Sequence, residues 1–271
     1  MINNIINIIT LSKFPLIALL ISFFILSIFW MPIFRILKLK KYSNIQRIHI
    51  KEIPRLGGVF IYLFFWIVFF FDIYENTLFY SLIISAIPFV FIGLKEDLTH
   101  NTSPKNRLIL MILSCFIFFY IYPSELPFIN IPFIGKLVNF YPVNIIFFTF
   151  CVLVVMNGSN LIDGVNGSFG FTSLFQLISI ALIAFKFNAI DLTNLSLLFA
   201  SPLVIFLLFN FPGGKIFMGD LGTYFYGFII ALLTINLFGV IDNLLTWLAV
   251  LILFYPCMEL LFSFLRKITN N

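Results

Sequence analysis

Apolar residues run along this chain in long blocks separated by short polar turns. A helix crossing a bilayer needs about 20 mainly apolar residues. Blocks approaching that length predict nine helices, near 14–36, 56–71, 78–94, 108–122, 143–156, 169–187, 195–211, 221–238 and 244–265. The first block is too long for a signal-peptide core and no small-residue cleavage site follows it, so it is expected to stay as a membrane helix.

Composition supports the pattern: 62% of the 271 residues are hydrophobic and 10% are charged, against about a quarter charged in soluble domains. The apolar blocks recur from end to end, so the reading is all-α, a polytopic membrane protein with a single membrane domain over 1–271. Cys115, Cys151 and Cys257 each lie inside an apolar block, where cysteine behaves as a small hydrophobe. His49 and His100 lie far apart and neither has metal-ligand spacing. Nothing points to a nucleic-acid partner.

The charges divide the loops. Arg35, Lys38, Lys40, Lys41, Arg47, Lys51 and Arg55 precede the second helix, and Lys95, Lys105 and Arg107 follow the third. Lys215 follows the seventh, and Arg266 and Lys267 end the ninth. Only Lys13, Lys136 and Lys186 fall on the other side, 13 against 3 of the 16 basic residues. Lys and Arg concentrate on the cytoplasmic side, which predicts an outer N-terminus and, with nine helices, a cytoplasmic C-terminus. Asp72, Glu75, Glu125, Asp191 and Asp242 lie at outer helix ends as solvated caps. Glu52, Glu96, Asp97, Asp163, Asp220 and Glu259 lie on or near the inner side, mostly in short turns against apolar helices, where ionisable groups are costly and invite a functional reading.

Four polar clusters collect there. The first, GLKEDL with Glu96 and Asp97, ends the third helix; a carboxylate pair at a helix terminus can reach one polar site and hold a cation or accept a proton. The second is NGSNLIDGVNG. Its Asn157, Asn160 and Asp163 stand three residues apart, so they share a helical face, and Asn166 follows; amide and carboxylate oxygens suit Mg²⁺. The third is NFPGGKIFMGDLGT, a Gly-rich loop whose N–H groups and Lys215 resemble a phosphate cradle, followed by Asp220. It lacks Walker A spacing. The fourth, KEIPRLGG with Arg55, reads as a basic loop leading into a small-residue packing face. SPKNRL adds Lys105 and Arg107, cations suited to a lipid headgroup or substrate phosphate. Scattered helix caps would fall on both sides. These clusters fall on one, which predicts a single site at the membrane–cytosol boundary that uses a divalent cation on a soluble phosphorylated molecule and a lipid phosphate.

At these residues the chain resembles the polyprenyl-phosphate sugar-1-phosphate transferases, the superfamily of the undecaprenyl-phosphate N-acetylglucosamine-1-phosphate and phospho-N-acetylmuramoyl-pentapeptide transferases. PRLGG, GLKEDL with SPKNRL, NGSNLIDGVNG and FPGGKIFMGDLGT occur in the family's order and spacing across 35–266. PRLGG and SPKNRL look closer to the aminosugar branch. The resemblance implies a cytosol-facing site in the bacterial inner membrane that transfers an N-acetylhexosamine-1-phosphate from a UDP-N-acetylhexosamine to undecaprenyl phosphate with release of UMP, at the start of a cell-envelope polysaccharide such as O-antigen. It implies Asp97, Glu96 and Asp163 as catalytic residues and Asn160 and Asp220 as ligands of Mg²⁺, with Mn²⁺ as a substitute. Arg55, Lys105, Arg107, Asn157, Asn166 and Lys215 would bind substrates. Membrane lipids surround the protein, and a homodimer is an open alternative.

The sequence departs from the family pattern in three ways. Glu96-Asp97 stands where the family usually has two aspartates, and Asn166 replaces a second aspartate. The family's His-rich loop and tenth helix would begin where this sequence stops at Asn271, so the domain is expected to be C-terminally incomplete. The rival expectation is a relative that binds polyprenyl phosphate without catalysis. A transporter is disfavoured, since its polar groups would sit near the midplane.

Overall fold

The computed structural model describes residues 53–123, 126–129, 135–241, 244 and 247–269. The first expected helix and its basic loop, with Glu52, lie outside these residues. Within them the chain forms ten helices: α1 (Gly57–Phe70), α2 (Thr77–Ser85), α3 (Ile87–Thr99), α4 (Pro104–Ile121), α5 (Gly135–Val138), α6 (Tyr141–Ile162), α7 (Ser168–Lys186), α8 (Ile190–Asn210), α9 (Gly219–Val240) and α10 (Trp247–Thr269). There are no strands among the described residues. Six of the helices are long and apolar enough to cross a membrane, or seven if α2 and α3 form one broken span. This is the architecture of a polytopic membrane protein.

The eight predicted helices within the described residues are all present, with one correction. The block expected at 78–94 is two helices meeting at Ala86 with a 45° bend, and the second runs on to Thr99. Pro88 explains the break: a proline near the start of a helix is well placed there but cannot donate to the preceding turn. Local capping sets other boundaries. Asn76 accepts from the N–H of Phe79 at 3.0 Å to open α2, and Ser103 accepts from the N–H of Asn106 at 3.2 Å to open α4 just before Pro104; such caps satisfy N–H groups that have no intrahelical partner.

The centre of the fold is α9. Every residue from Gly219 to Leu237 is buried, and α1, α3, α6, α7, α8 and α10 all touch it. Without a hydrophobic drive between helices in lipid, close backbone packing holds a bundle together. Gly58 and Gly222 show how: a Cβ on either would run into the other's backbone, so α1 and α9 cross with almost nothing between them. The first N–H groups of α1 find partners outside the helix, Gly57 donating to the carbonyl of Phe217 at 3.0 Å and Gly58 to that of Met218 at 2.8 Å. Large apolar side chains such as Phe70, Phe91, Phe150, Phe175 and Leu251 are exposed on the outside of the bundle, as expected of a lipid-facing surface.

Candidate active site

The N-terminus of the buried α9 gathers the acidic residues. Asp97, buried near the end of α3, accepts the N–H of Asp220 at 2.7 Å through one carboxylate oxygen and that of Leu221 at 3.0 Å through the other. Asp163, just past the end of α6, accepts the N–H of Gly219 at 3.0 Å. Unpaired N–H groups and the positive end of the helix dipole both attract negative charge. Gly219 has φ +79°, and a Cβ there would strike the carboxylate of Asp97 and the carbonyl of Arg55. Glycine is the residue that tolerates this conformation and this approach. Burial pushes the Asp163 carboxyl up to about 7, against the N–H groups of Gly219 and Met218 and the charge of Arg55, which lower it. A carboxylate so placed gains from a nearby cation.

Asp220 faces the other way. Its Oδ2 takes a salt bridge from Arg107 of α4 at 2.9 Å, and the hydroxyl of Tyr224, one turn further along α9, lies 3.3 Å from the same oxygen and 3.2 Å from the Arg107 guanidinium. Thr223 links Asp220 to α6: its hydroxyl donates to the Asp220 carbonyl at 3.2 Å and accepts from Asn160 Nδ2 at 2.9 Å. With the nitrogen of Asn160 so engaged, its carboxamide oxygen is left as the acceptor. Among the described residues no group of three or more His, Cys, Asp or Glu side chains could hold a metal ion. The pair Asn160 and Asp220 nevertheless fits Mg²⁺, which commonly takes one or two protein oxygens and completes its shell with water and substrate phosphates. Arg107 shares the carboxylate such an ion would use.

Beside these residues opens a groove of about 340 Å³ between α4, α6, α9 and α10. Arg107, Asn157, Asn160 and Tyr224 supply its polar side, and Leu108, Leu161, Leu260 and Phe264 its apolar walls, with Lys267 from the end of α10 at the rim. A mouth with two cations and two carboxamides, continuous with apolar walls, can receive a phosphate ester carrying a hydrocarbon tail. Asn157 is held within α6 by donating to the Leu153 carbonyl at 2.8 Å.

The remaining expected residues are arranged less tightly. Glu96 and Asp97 bond to different groups, although the charge of Glu96 still acts on Arg107. Glu96 turns to Thr102, accepting its N–H at 2.9 Å and, closer still, its hydroxyl, because adjacent positions of a helix point to different faces. Asn166 donates to the Pro212 carbonyl at 2.9 Å and its Oδ1 is buried without a partner, so it ties two loops together. The loop before α9 is not an open phosphate cradle. Gly214 donates to the Asn210 carbonyl, Lys215 to that of Phe209 and Phe217 to that of Pro54, so these N–H groups are spent on joining the loop to its neighbours. Arg55, Lys105 and Lys215 are exposed around this end of the bundle.

Four contributors escaped the sequence reading. Tyr224 was legible in principle from its i+4 spacing to Asp220. Thr223 closed a quoted motif without an assigned role. Lys267 was counted only among the basic residues that set orientation. Asn210 accepts the N–H of Gly167 at 2.5 Å and donates to the Ile216 carbonyl at 2.7 Å, and no local signal announces such a bridge between loops.

The described residues thus form a polytopic helical protein with carboxylates, amides and cations clustered beside a partly apolar groove. The sequence profile of glycosyl transferase family 4 matches residues 79–238, and the chain belongs to that family. It is 26% identical over 232 residues to a probable undecaprenyl-phosphate N-acetylglucosaminyl 1-phosphate transferase of Bacillus subtilis, covering 83% of this chain and 63% of that protein. It is 30% identical over 237 residues to a phospho-N-acetylmuramoyl-pentapeptide-transferase of Clostridium perfringens, covering 81% and 74%. A transferase of the latter name from Dictyoglomus thermophilum is 33% identical over 189 residues, covering 67% and 58%. The chain thus spans less than two thirds of the Bacillus and Dictyoglomus relatives.

Proposed function

We propose that this chain transfers an N-acetylhexosamine-1-phosphate from a UDP-sugar to undecaprenyl phosphate at the cytosolic boundary of the bacterial inner membrane, beginning an envelope polysaccharide. The observation that carries this reading is the meeting of Asp97, Asp163, Asp220 and Asn160 at the head of α9 with a groove that is cationic at its mouth and apolar along its walls. The names of the relatives supply the substrate class.

In the net reaction an oxygen of the lipid phosphate forms a bond to the sugar-bound phosphorus of the donor. The bond from that phosphorus to the bridging oxygen breaks, and its electron pair leaves on UMP. A lipid phosphomonoester is already anionic near neutral pH, so no strong base is required. Asp97, with both oxygens engaged by backbone N–H groups, fits a positioning role: it fixes the first turn of α9 and thereby the direction of Asp220. Asp163 fixes the same turn from the α6 side. Asn160 and Asp220 would hold Mg²⁺ or Mn²⁺, which when bound neutralises charge on the diphosphate. Arg107 and Lys267 neutralise the phosphate of the acceptor, and Leu108, Leu161, Leu260 and Phe264 receive the first part of its chain.

The test is incubation of membranes containing the protein with undecaprenyl phosphate, Mg²⁺ and labelled UDP-N-acetylhexosamines. Lipid-linked sugar phosphate and an equal amount of UMP are expected. No product with any such donor would replace this reading by that of a relative that binds polyprenyl phosphate without catalysis.

A further inference from the structure

Two prolines lie deep inside helices, Pro202 in α8 and Pro256 in α10. A proline inside a helix leaves the carbonyl four residues back without its N–H partner, and in a bilayer no water is at hand to replace it. For Pro202 that carbonyl belongs to Leu198, and the neighbouring Ser201 hydroxyl donates to it at 2.9 Å. The break is mended within the helix itself. For Pro256 the carbonyl belongs to Ile252, and the donor comes from another helix: Nε2 of Gln176, buried on α7, at 2.9 Å.

The location of this mend matters. Pro256 is the one buried residue of α10. Gly158 of α6 lies so close to it that a Cβ would collide with the Pro256 backbone. Gln176 and Gly158 therefore grip α10 at one level, around 252–256. Beyond that level Leu260, Phe264 and Lys267 form the α10 side of the groove. Lys267 is eleven residues past Pro256, about 16 Å at 1.5 Å per residue, so a tilt of about 10° at the grip moves it by about 3 Å. A shift of that size separates a hydrogen-bonded pair.

We propose that Gln176 is a positioning residue of the groove: by supplying the N–H that Pro256 lacks, it sets the direction of the second half of α10 and hence where Leu260, Phe264 and Lys267 stand opposite Arg107 and Asn160. Its effect on substrate rests on the proposed function, since it takes the groove to hold the acceptor phosphate. Its effect on helix geometry does not.

The experiment uses the full chain in lipid nanodiscs with spin labels at two exposed apolar positions, Ile109 on α4 and Ile268 at the end of α10. Gln176→Leu removes the donor and keeps an apolar side chain of similar size. It is expected to shift or broaden the label distance by about 3 Å, the displacement that helix rise gives for a small tilt. Adding Pro256→Ala returns an N–H to Ile252 and is expected to restore the wild-type distance. In turnover, Gln176→Leu is expected to raise the KM for undecaprenyl phosphate about tenfold, corresponding to about 1.4 kcal/mol, with kcat little changed and rescue again by Pro256→Ala. A wild-type distance and KM in Gln176→Leu, or a double variant no closer to wild type than the single one, overturns the proposal. If Gln176→Leu does not fold, Pro256→Ala alone and the double variant must match each other; a difference between them overturns it equally. Absence of wild-type turnover would remove the proposed function and leave the distances to decide the role of Gln176.

Discussion

The helices α9 and α10 bring groups to the same groove in opposite ways. The first is buried from Gly219 to Leu237 and packed against helices on every side. The second has one buried residue, Pro256, and is gripped around that level. The acidic pole of the site, Asp220 at the head of α9, is thus fixed by the fold, with its backbone N–H held by Asp97. The cationic and apolar side, Lys267, Leu260 and Phe264 on α10, lies on a helix that packs along α6, with Leu260 half-buried and Phe264 and Lys267 exposed. The difference suits the two jobs. In the proposed function, aligning a diphosphate for displacement would demand fixed oxygens, since errors of an ångström are costly there, whereas the wall that receives a lipid chain would not need the same precision.

The largest effect that would break this contrast is at Asp97. Asp97→Ala leaves the N–H groups of Asp220 and Leu221 buried without partners, each worth about 1.5–3 kcal/mol when bonded to a charged acceptor. It is expected to lower the melting temperature and to abolish measurable turnover. Asp97→Asn keeps a carbonyl oxygen for one of the two N–H groups, so it should melt between wild type and Asp97→Ala. Equal melting of all three would show that the α9 terminus does not depend on this carboxylate.

Next is Asp220. Asp220→Ala removes the carboxylate shared by Arg107 and the proposed cation without disturbing the backbone bonds to Asp97. Turnover should fall at least about 100-fold, the scale of losing one electrostatic stabiliser of a transition state, while loss of the Arg107 salt bridge lowers thermal stability less than Asp97→Ala does. Mn²⁺ binding followed by electron paramagnetic resonance should weaken in parallel. Unchanged Mn²⁺ affinity would remove Asn160 and Asp220 as a cation pair.

How much of this could be seen beforehand divides along the same line. Apolar blocks located eight helices because bilayer thickness imposes their length. The motifs around Asp97, Asp163 and Asp220 stood out because carboxylates and glycines at the ends of apolar helices have no packing explanation. The two-helix form of 77–99 was missed because Pro88 lies inside an otherwise unbroken apolar run, where hydropathy alone does not mark a helix break. The direction of Glu96 toward Thr102 depends on helix phase at one terminus, which a pair of adjacent carboxylates does not reveal. The Gly-rich loop suggested a cradle, but composition does not say where backbone N–H groups are spent. Gln176 could not have been found from sequence, since a glutamine in an apolar helix carries no mark of the proline on another helix whose defect it mends.

On the α10 side the effects should be smaller. Lys267→Ala removes one of the two cations at the groove mouth and no buried contact. The KM for undecaprenyl phosphate is expected to rise about tenfold, the loss of one charge-assisted hydrogen bond, with kcat and KM for the UDP-sugar unchanged. A fall in kcat with constant KM would assign Lys267 to the reaction itself and erase the division of labour between the two helices.

The smallest effect sharpens the comparison from a third helix. Pro202 breaks α8 as Pro256 breaks α10, but Ser201 repairs it on the spot and most of α8 is buried. Ser201→Ala deprives the Leu198 carbonyl of its donor at a cost of about 1 kcal/mol, which a chemical-denaturation series on the nanodisc-embedded protein should register. Packing on both sides of the break leaves α8 little room to tilt. Its loss should therefore be one of stability alone, with the Ile109–Ile268 label distance and both KM values at wild-type level. A changed acceptor KM in Ser201→Ala would mean that any unmended proline in this bundle disturbs the groove, and the particular role of Gln176 would dissolve into general helix strain.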